Sequence, residues 1–260
     1  VEARKRDALV MLALHALPHN AHVTLWDTLD VGYFMRHDAA DIAWHTRHLS
    51  RYLADLARAP LETDSALLGG IVRSRLSPVG EGLQVLVYTK DQADLFARIC
   101  GYFDQAGFSI LDAKVHTARN GYALDTFQVV ATNMTDHYRE LVSMVETELL
   151  RTIAESGELP RPSRGRISRR VKSFPIAPRV ELRPDEKAQR WLLSVSASDR
   201  IGLLYGIARV LAKHKLNLQL AKVTTLGERV EDTFLISGNE LQNNKAQIEI
   251  ETELLDAIAV

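Results

Sequence analysis

An α+β fold, with two small sheet-and-helix sandwiches following a helical segment, is predicted by three observations. The chain repeats itself: Asp91, Leu95, Ile99, Phe103, Ala113, Lys114, Val115 and Thr117 recur at a constant offset as Asp199, Leu203, Ile207, Leu211, Ala221, Lys222, Val223 and Thr225. The offset then slips by one residue, so that Asp125-Thr126-Phe127 aligns with Asp232-Thr233-Phe234. The slip falls between Asn120-Gly121 and Gly227-Glu228, hairpin-turn residues where a change of length is tolerated. Finally, each copy reads as strand, helix, hairpin and helix, the order of the split βαβ sandwich, in which helices cover one face of an antiparallel sheet.

Taken in order, Ala3 to Leu17 places Leu9, Leu12, Ala13 and Leu17 on one face behind a charged first turn, and Pro18 marks the end of a predicted helix. A longer helix is predicted from Asp38 to Ala59, with Asp38 as N-cap and Ile42, His45, Leu49, Tyr52, Leu53 and Leu56 on one face; Pro60 follows. Leu67 to Pro78 mixes a Gly69-Gly70 turn with Ile71, Val72 and Leu76 and reads as a connector with one strand. The first copy opens with a strand at Leu83 to Tyr88 and has its second helix at Tyr138 to Ile153; a fourth strand is expected within Phe174 to Leu182. The second copy opens at Leu192 to Val195, and its helix carries Leu203, Ile207, Val210 and Leu211 at helical spacing. The expected domains are 1–78, a helical connector; 79–184, the first sandwich with a basic linker; and 185–260, the second. The linker, Pro160 to Lys172, holds Arg161, Arg164, Arg166, Arg169, Arg170 and Lys172 among Ser and Gly, and reads as a solvated loop.

The stretch most able to bind something is Asp199 to Leu203. The N–H groups of a helix's first turn have no partner inside the helix, and Gly202 leaves space beside them for a small anion. Asp199 reads either as the cap of that helix or as the partner of a ligand's ammonium group. Where the second copy has Gly202 the first has Asp94, whose carboxylate would repel an anionic group. One strong site is therefore expected rather than two.

The pattern Asp-x-x-Gly-Leu-Leu from Asp199, then Asn217, then Ala221-Lys222-x-x-Thr225 and Gly227-Glu228-Arg229-Val230-Glu231-Asp232-x-Phe234, resembles the ACT domain, a ferredoxin-like (βαββαβ) regulatory module that binds amino acids. The tandem pair with this hairpin is similar to the C-terminal end of the bacterial bifunctional uridylyltransferase/uridylyl-removing enzymes that modify the PII nitrogen signal protein. The resemblance covers about the last 180 residues well and the 78 before them more loosely. It implies that residues 1–78 follow a catalytic core outside these residues, and that Val1 lies inside a longer chain. It implies glutamine as ligand, with Asp199, Arg200, Ile201, Gly202, Leu203 and Asn217 as site residues, and with Asp91 and Asp94 as their first-copy counterparts. It further implies PII as partner and Mg only in the catalytic domains; the single Cys100 fits a reducing cytoplasm. A free-standing ACT-repeat regulator and the regulatory tail of an amino-acid biosynthetic enzyme remain alternatives.

Composition sets the outer limits. With 260 residues, 46% of them apolar, and a net charge of −1, the chain can bury more than one core. Its single cysteine, Cys100, cannot form an internal disulfide. No apolar run reaches the roughly 20 residues of a membrane helix, and near-neutral charge without base-stacking aromatics argues against nucleic acid. No catalytic motif is present: no Gly-x-Ser-x-Gly, no Cys with a partnered His, no phosphate-cradling glycine loop. His37-Asp38 has the wording of a metal phosphohydrolase dipeptide, but His15, His19 and His22 lack ligand spacing toward it. His45 and His48, three apart, read as packing or surface residues. No metal site and no cofactor are expected in this segment.

Overall fold

The computed structural model describes residues 1–59, 69–131, 137–155, 157–163, 176–186 and 189–259. Pro60, Leu67, the basic run from Arg164 to Lys172 and Phe174 therefore lie outside the described residues. The chain divides into two units, one made of Val1–Arg73, Leu86–Asp91 and His116–Asp125, the other of Ser74–Val85, Gln92–Val115 and Thr126–Val260.

The first unit opens with helices α1 (Glu2–Leu12), α2 (Val23–Trp26), α3 (Val31–Arg36) and α4 (Ala39–Arg58). Helix α1 stops five residues short of the predicted Leu17. The amides of Leu14 and His15 bond to Met11 and Leu12, three residues back, so the helix tightens and ends, and Leu14 is 85% exposed. Helix α4 matches its prediction: Asp38 is the N-cap, accepting the Asp41 amide at 2.7 Å. Its apolar face buries Ile42 and Leu49 against Leu25, Tyr33 and Phe34, and Leu86, Tyr88, Ala118 and Leu124 of the same unit complete this core. Each such side chain contributes about 1.5–3 kcal/mol of burial.

Strands β1 (Ile71–Leu76) and β2 (Leu83–Lys90) follow, then helix α5 (Leu95–Gln105), strands β3 (Phe108–Lys114) and β4 (Tyr122–Ala131), and helix α6 (Tyr138–Ala154). The second copy supplies β5 (Arg179–Pro184), β6 (Trp191–Ser198), α7 (Leu203–Lys213), β7 (Asn217–Lys222), β8 (Thr225–Leu226), β9 (Arg229–Ser237), a 3₁₀ turn (Asn239–Gln242) and α8 (Asn244–Ile258). In the second unit, which β1, β2 and β4 enter through their residues 74–76, 83–85 and 126–131, the described strands run β1-β2-β4-β3-β7-β9-β6-β5, with β8 paired to β9. The fold is thus α+β, with an antiparallel sheet and packed helices, as expected. The strand completing each half differs from expectation. The strand near Phe174–Leu182 pairs with β6, from Arg179 opposite Ser196 to Pro184 opposite Trp191, instead of closing the first copy. Each half therefore takes its outer strand from the segment preceding it, β1 before β2 and β5 before β6.

The repeat also appears in local geometry. Both β3 and β7 carry a bulge at equivalent places, between Ile110 and Asp112 and between Leu218 and Leu220. The two strands meet at one antiparallel pair, Lys114 opposite Lys222, and these are each other's counterparts in the repeat. A local two-fold therefore relates the copies there. On the helical side α5 and α7 cross so closely that a Cβ at Gly101 would lie 2.9 Å from Cε1 of Tyr205.

Candidate functional site

Strand β6 ends at Ser198, and the Asp199 amide is held by the Glu228 carbonyl at 2.8 Å, so the chain leaves the sheet at a fixed point before turning into α7. Gly202, not Asp199, is the N-cap, and no side chain caps the helix. Its φ of +82° lies where side-chain-bearing residues are strained, and a Cβ there would stand 2.9 Å from Oδ1 of Asp104 and 3.1 Å from the Ser163 carbonyl. Glycine is thus required here on two counts, backbone conformation and lack of space, and the room the sequence suggested for a small anion is taken up by the Asp104 carboxylate and the Ser163 carbonyl.

A small cavity of about 40 Å³ lies against this turn. Asp199, Arg200, Ile201, Gly202 and Leu203 line it together. The C-terminal part of α5 and the bulged start of β3, including Asp104 and Leu111, also line it, as does Asp232 of β9. Space on this scale holds a few waters. Beside it a polar latch ties α5 to residues 157–163: Asp104, 5% exposed, accepts the Ser163 amide at 2.7 Å and the Ser163 hydroxyl.

The cavity is acidic. Burial raises the pKa of Asp199, opposed by the N–H of Arg200. Asp232, 2% exposed, is pushed up to about 7, first by burial, with repulsion from Asp199 and Glu231 adding; the Thr224 amide at 3.3 Å opposes the shift. The first copy repeats the device, since Asp125 accepts the His116 amide at 3.3 Å and burial raises its pKa to about 8.

The remaining predicted residues lie elsewhere. Asp94 faces its own helix, paired with Arg98 at 2.7 Å, and lines a separate groove. Asp91 accepts the Thr117 hydroxyl at 3.0 Å in the first unit. Asn217, exposed at the start of β7, sits opposite Ser237 and does not line the cavity. Asp104, Ser163 and Asp232 were not predicted. Only Asp232 left a sequence signal: it is an acid recurring in both copies of an otherwise apolar strand.

In the first unit His37 is buried and stands 3.9 Å from Asp41, while Nδ1 of His45 lies 2.7 Å from the Tyr33 hydroxyl. His116 contacts the Arg36 guanidinium at 2.8 Å, and burial lowers its pKa to about 4. These are packed polar groups; among the described residues no three His, Cys, Asp or Glu converge as metal ligands. No described helix is long and apolar enough to cross a membrane.

Residues 1–48 match the family model described as the uridylyltransferase GlnD fifth domain. The whole chain is 55% identical to bifunctional uridylyltransferase/uridylyl-removing enzymes of Burkholderia thailandensis, Burkholderia mallei and Burkholderia pseudomallei, in each case over all 260 residues. The chain spans 29% of the length of these relatives. No solved structure gives a significant match. Along its full length the chain is thus similar to part of the bifunctional uridylyltransferase/uridylyl-removing enzymes, and over residues 1–48 to the fifth domain of the uridylyltransferase family model.

Proposed function

We propose that this segment is the sensor of such an enzyme: a tandem pair of ACT domains whose second copy binds glutamine and so controls addition and removal of uridylyl groups on PII in the cytoplasm. The observation that carries the reading is the start of α7 at Gly202, which no side chain caps, beside the exposed carboxylate of Asp199 and the buried one of Asp232. A free amino acid carries both charges this arrangement suits: its carboxylate accepts the first-turn N–H groups, and its ammonium faces Asp199 with Asp232 behind. The full-length match to part of a larger enzyme supports this over a free-standing regulator. The transfer and hydrolysis chemistry, with its Mg, belongs to domains outside this segment.

The small size of the cavity supplies the lever. Glutamine does not fit in about 40 Å³, so it binds an arrangement in which the Asp104–Ser163 latch has opened, and a ligand that binds only one arrangement shifts the balance toward it. Calorimetry of the chain with glutamine tests the reading: saturable heat is expected, and a loss of at least tenfold in affinity for Gly202→Asp. Absence of heat, or full binding by Gly202→Asp, would refute it.

A further inference from the structure

A second opening lies on the helical side of the same unit. It is a groove of about 930 Å³ between the first turns of α5, residues 157–163 and the exposed face of α7. Gly202 and Gly206, one turn apart on α7, give it depth, and Leu159, Pro162 and Val210 form an apolar wall.

Its charge is unbalanced. Five cationic side chains line it, Arg98, Arg161, Arg200, Arg209 and Lys213, against the two acids Asp94 and Glu158. Two of the five are already neutralised, Arg98 by Asp94 and Lys213 by Glu253, each at 2.7 Å. Arg200 is held by the carbonyls of Ala257 at 2.5 Å and Ala259 at 3.4 Å, at the negative end of the α8 dipole, which orders its guanidinium without cancelling its charge. Arg209 lies over the Tyr205 ring at 5.9 Å, and neither it nor Arg161 has a carboxylate within ion-pair distance among the described residues. Cations gathered in a concave site focus positive potential there, and the planar guanidinium fork matches phosphate oxygens.

We infer that this groove binds a phosphate-bearing small molecule, its phosphate between Arg161 and Arg209 and any organic body against the apolar wall. The volume is that of a small-molecule cleft and far exceeds one phosphate. Arg200 and Gly202 border both this groove and the acidic cavity, so its occupant touches the turn on which the sensor reading rests, while its own anchors do not depend on that reading.

The test is titration of the 260-residue chain with ATP, UMP and pyrophosphate, with a polyglutamate peptide as control, at low and high salt. The expected result is saturable binding of at least one phosphate compound, weakened by salt and reduced tenfold or more in Arg161→Gln/Arg209→Gln. The variant's unfolding midpoint should match the parent's. Should it not, Arg209→Lys replaces it, which keeps the charge but loses the fork and is expected to weaken binding about threefold. Nucleotide binding without pyrophosphate binding identifies an organic phosphate, and equal binding of all three identifies the phosphate group itself; both support the site. No binding of any phosphate, binding unchanged in the variants, or binding of polyglutamate alone overturns it. Glutamine heats measured on the same variants keep the two sites separate, because they are expected to be unchanged.

Discussion

Ser163→Ala should make the chain bind glutamine more tightly while making the unliganded chain slightly less stable. The Ser163 hydroxyl donates to the buried Asp104 carboxylate beside the amide of the same residue, and alanine removes the hydroxyl bond alone. A hydrogen bond to a charged group contributes about 1.5–3 kcal/mol. Because Asp104 keeps the amide and can relax, the lower end, about 1.5 kcal/mol, is the better figure. That loss falls only on the closed arrangement, so the ratio of open to closed rises about tenfold. The apparent Kd for glutamine falls by the same factor as long as the closed arrangement predominates. Calorimetry with parent and variant measures the affinity, and thermal unfolding without ligand measures the cost. Unchanged or weaker affinity in Ser163→Ala would refute the latch, because loss of a merely structural contact has no means of improving binding.

Two more predictions concern stability. Asp232 has a folded pKa of about 7 against an ordinary value of 3.8, so between these pH values the native state holds a proton that the unfolded chain has lost, and stability declines as pH rises through that window. Asp232→Asn, which still accepts the Thr224 amide, should gain on the parent by about 2–4 kcal/mol between pH 4 and pH 8; a constant difference across that range would contradict the buried-acid account. The same titration makes ammonium binding cost a proton below pH 7, so glutamine affinity in the parent should rise with pH and level off above it. Gly101→Ala, a change that favours an isolated helix, should instead destabilise by about 1–3 kcal/mol, because the new methyl meets the Tyr205 ring, itself buried and tied by its hydroxyl to the Pro160 carbonyl. A midpoint that rises in chemical denaturation would show that α5 and α7 can part without strain.

The features legible in the sequence were those whose cause is local. The N-cap at Asp38, the hairpins at Asn120-Gly121 and Gly227-Glu228, and the apolar stripe of α7 each follow from residues a few positions apart. The repeat extended that reach, because a glycine at Gly202 against an aspartate at Asp94 flagged the turn where the copies differ. What could not be read depends on distant meetings. Asp104 and Ser163 are separated by 59 positions, and Ser163 stands in a proline- and arginine-rich stretch without periodicity. The strand expected within Phe174–Leu182 was assigned to the wrong copy for a similar reason: an edge strand pairs on one side only, so its pattern says little about which neighbour it joins. Helix α1 ended early because Leu14, though apolar, finds nothing to cover.

The pairing of Lys114 with Lys222 has a wider meaning. Two separate subunits joined through that ladder would be bound to identical sequences, so every substitution near the axis would be made twice. Fused in one polypeptide, the halves escape that rule, and one turn can keep a bare glycine while its twin holds an aspartate locked to an arginine. Lopsidedness of this kind lets the two halves diverge in what their turns can hold, a freedom open only to a dimer written into a single gene.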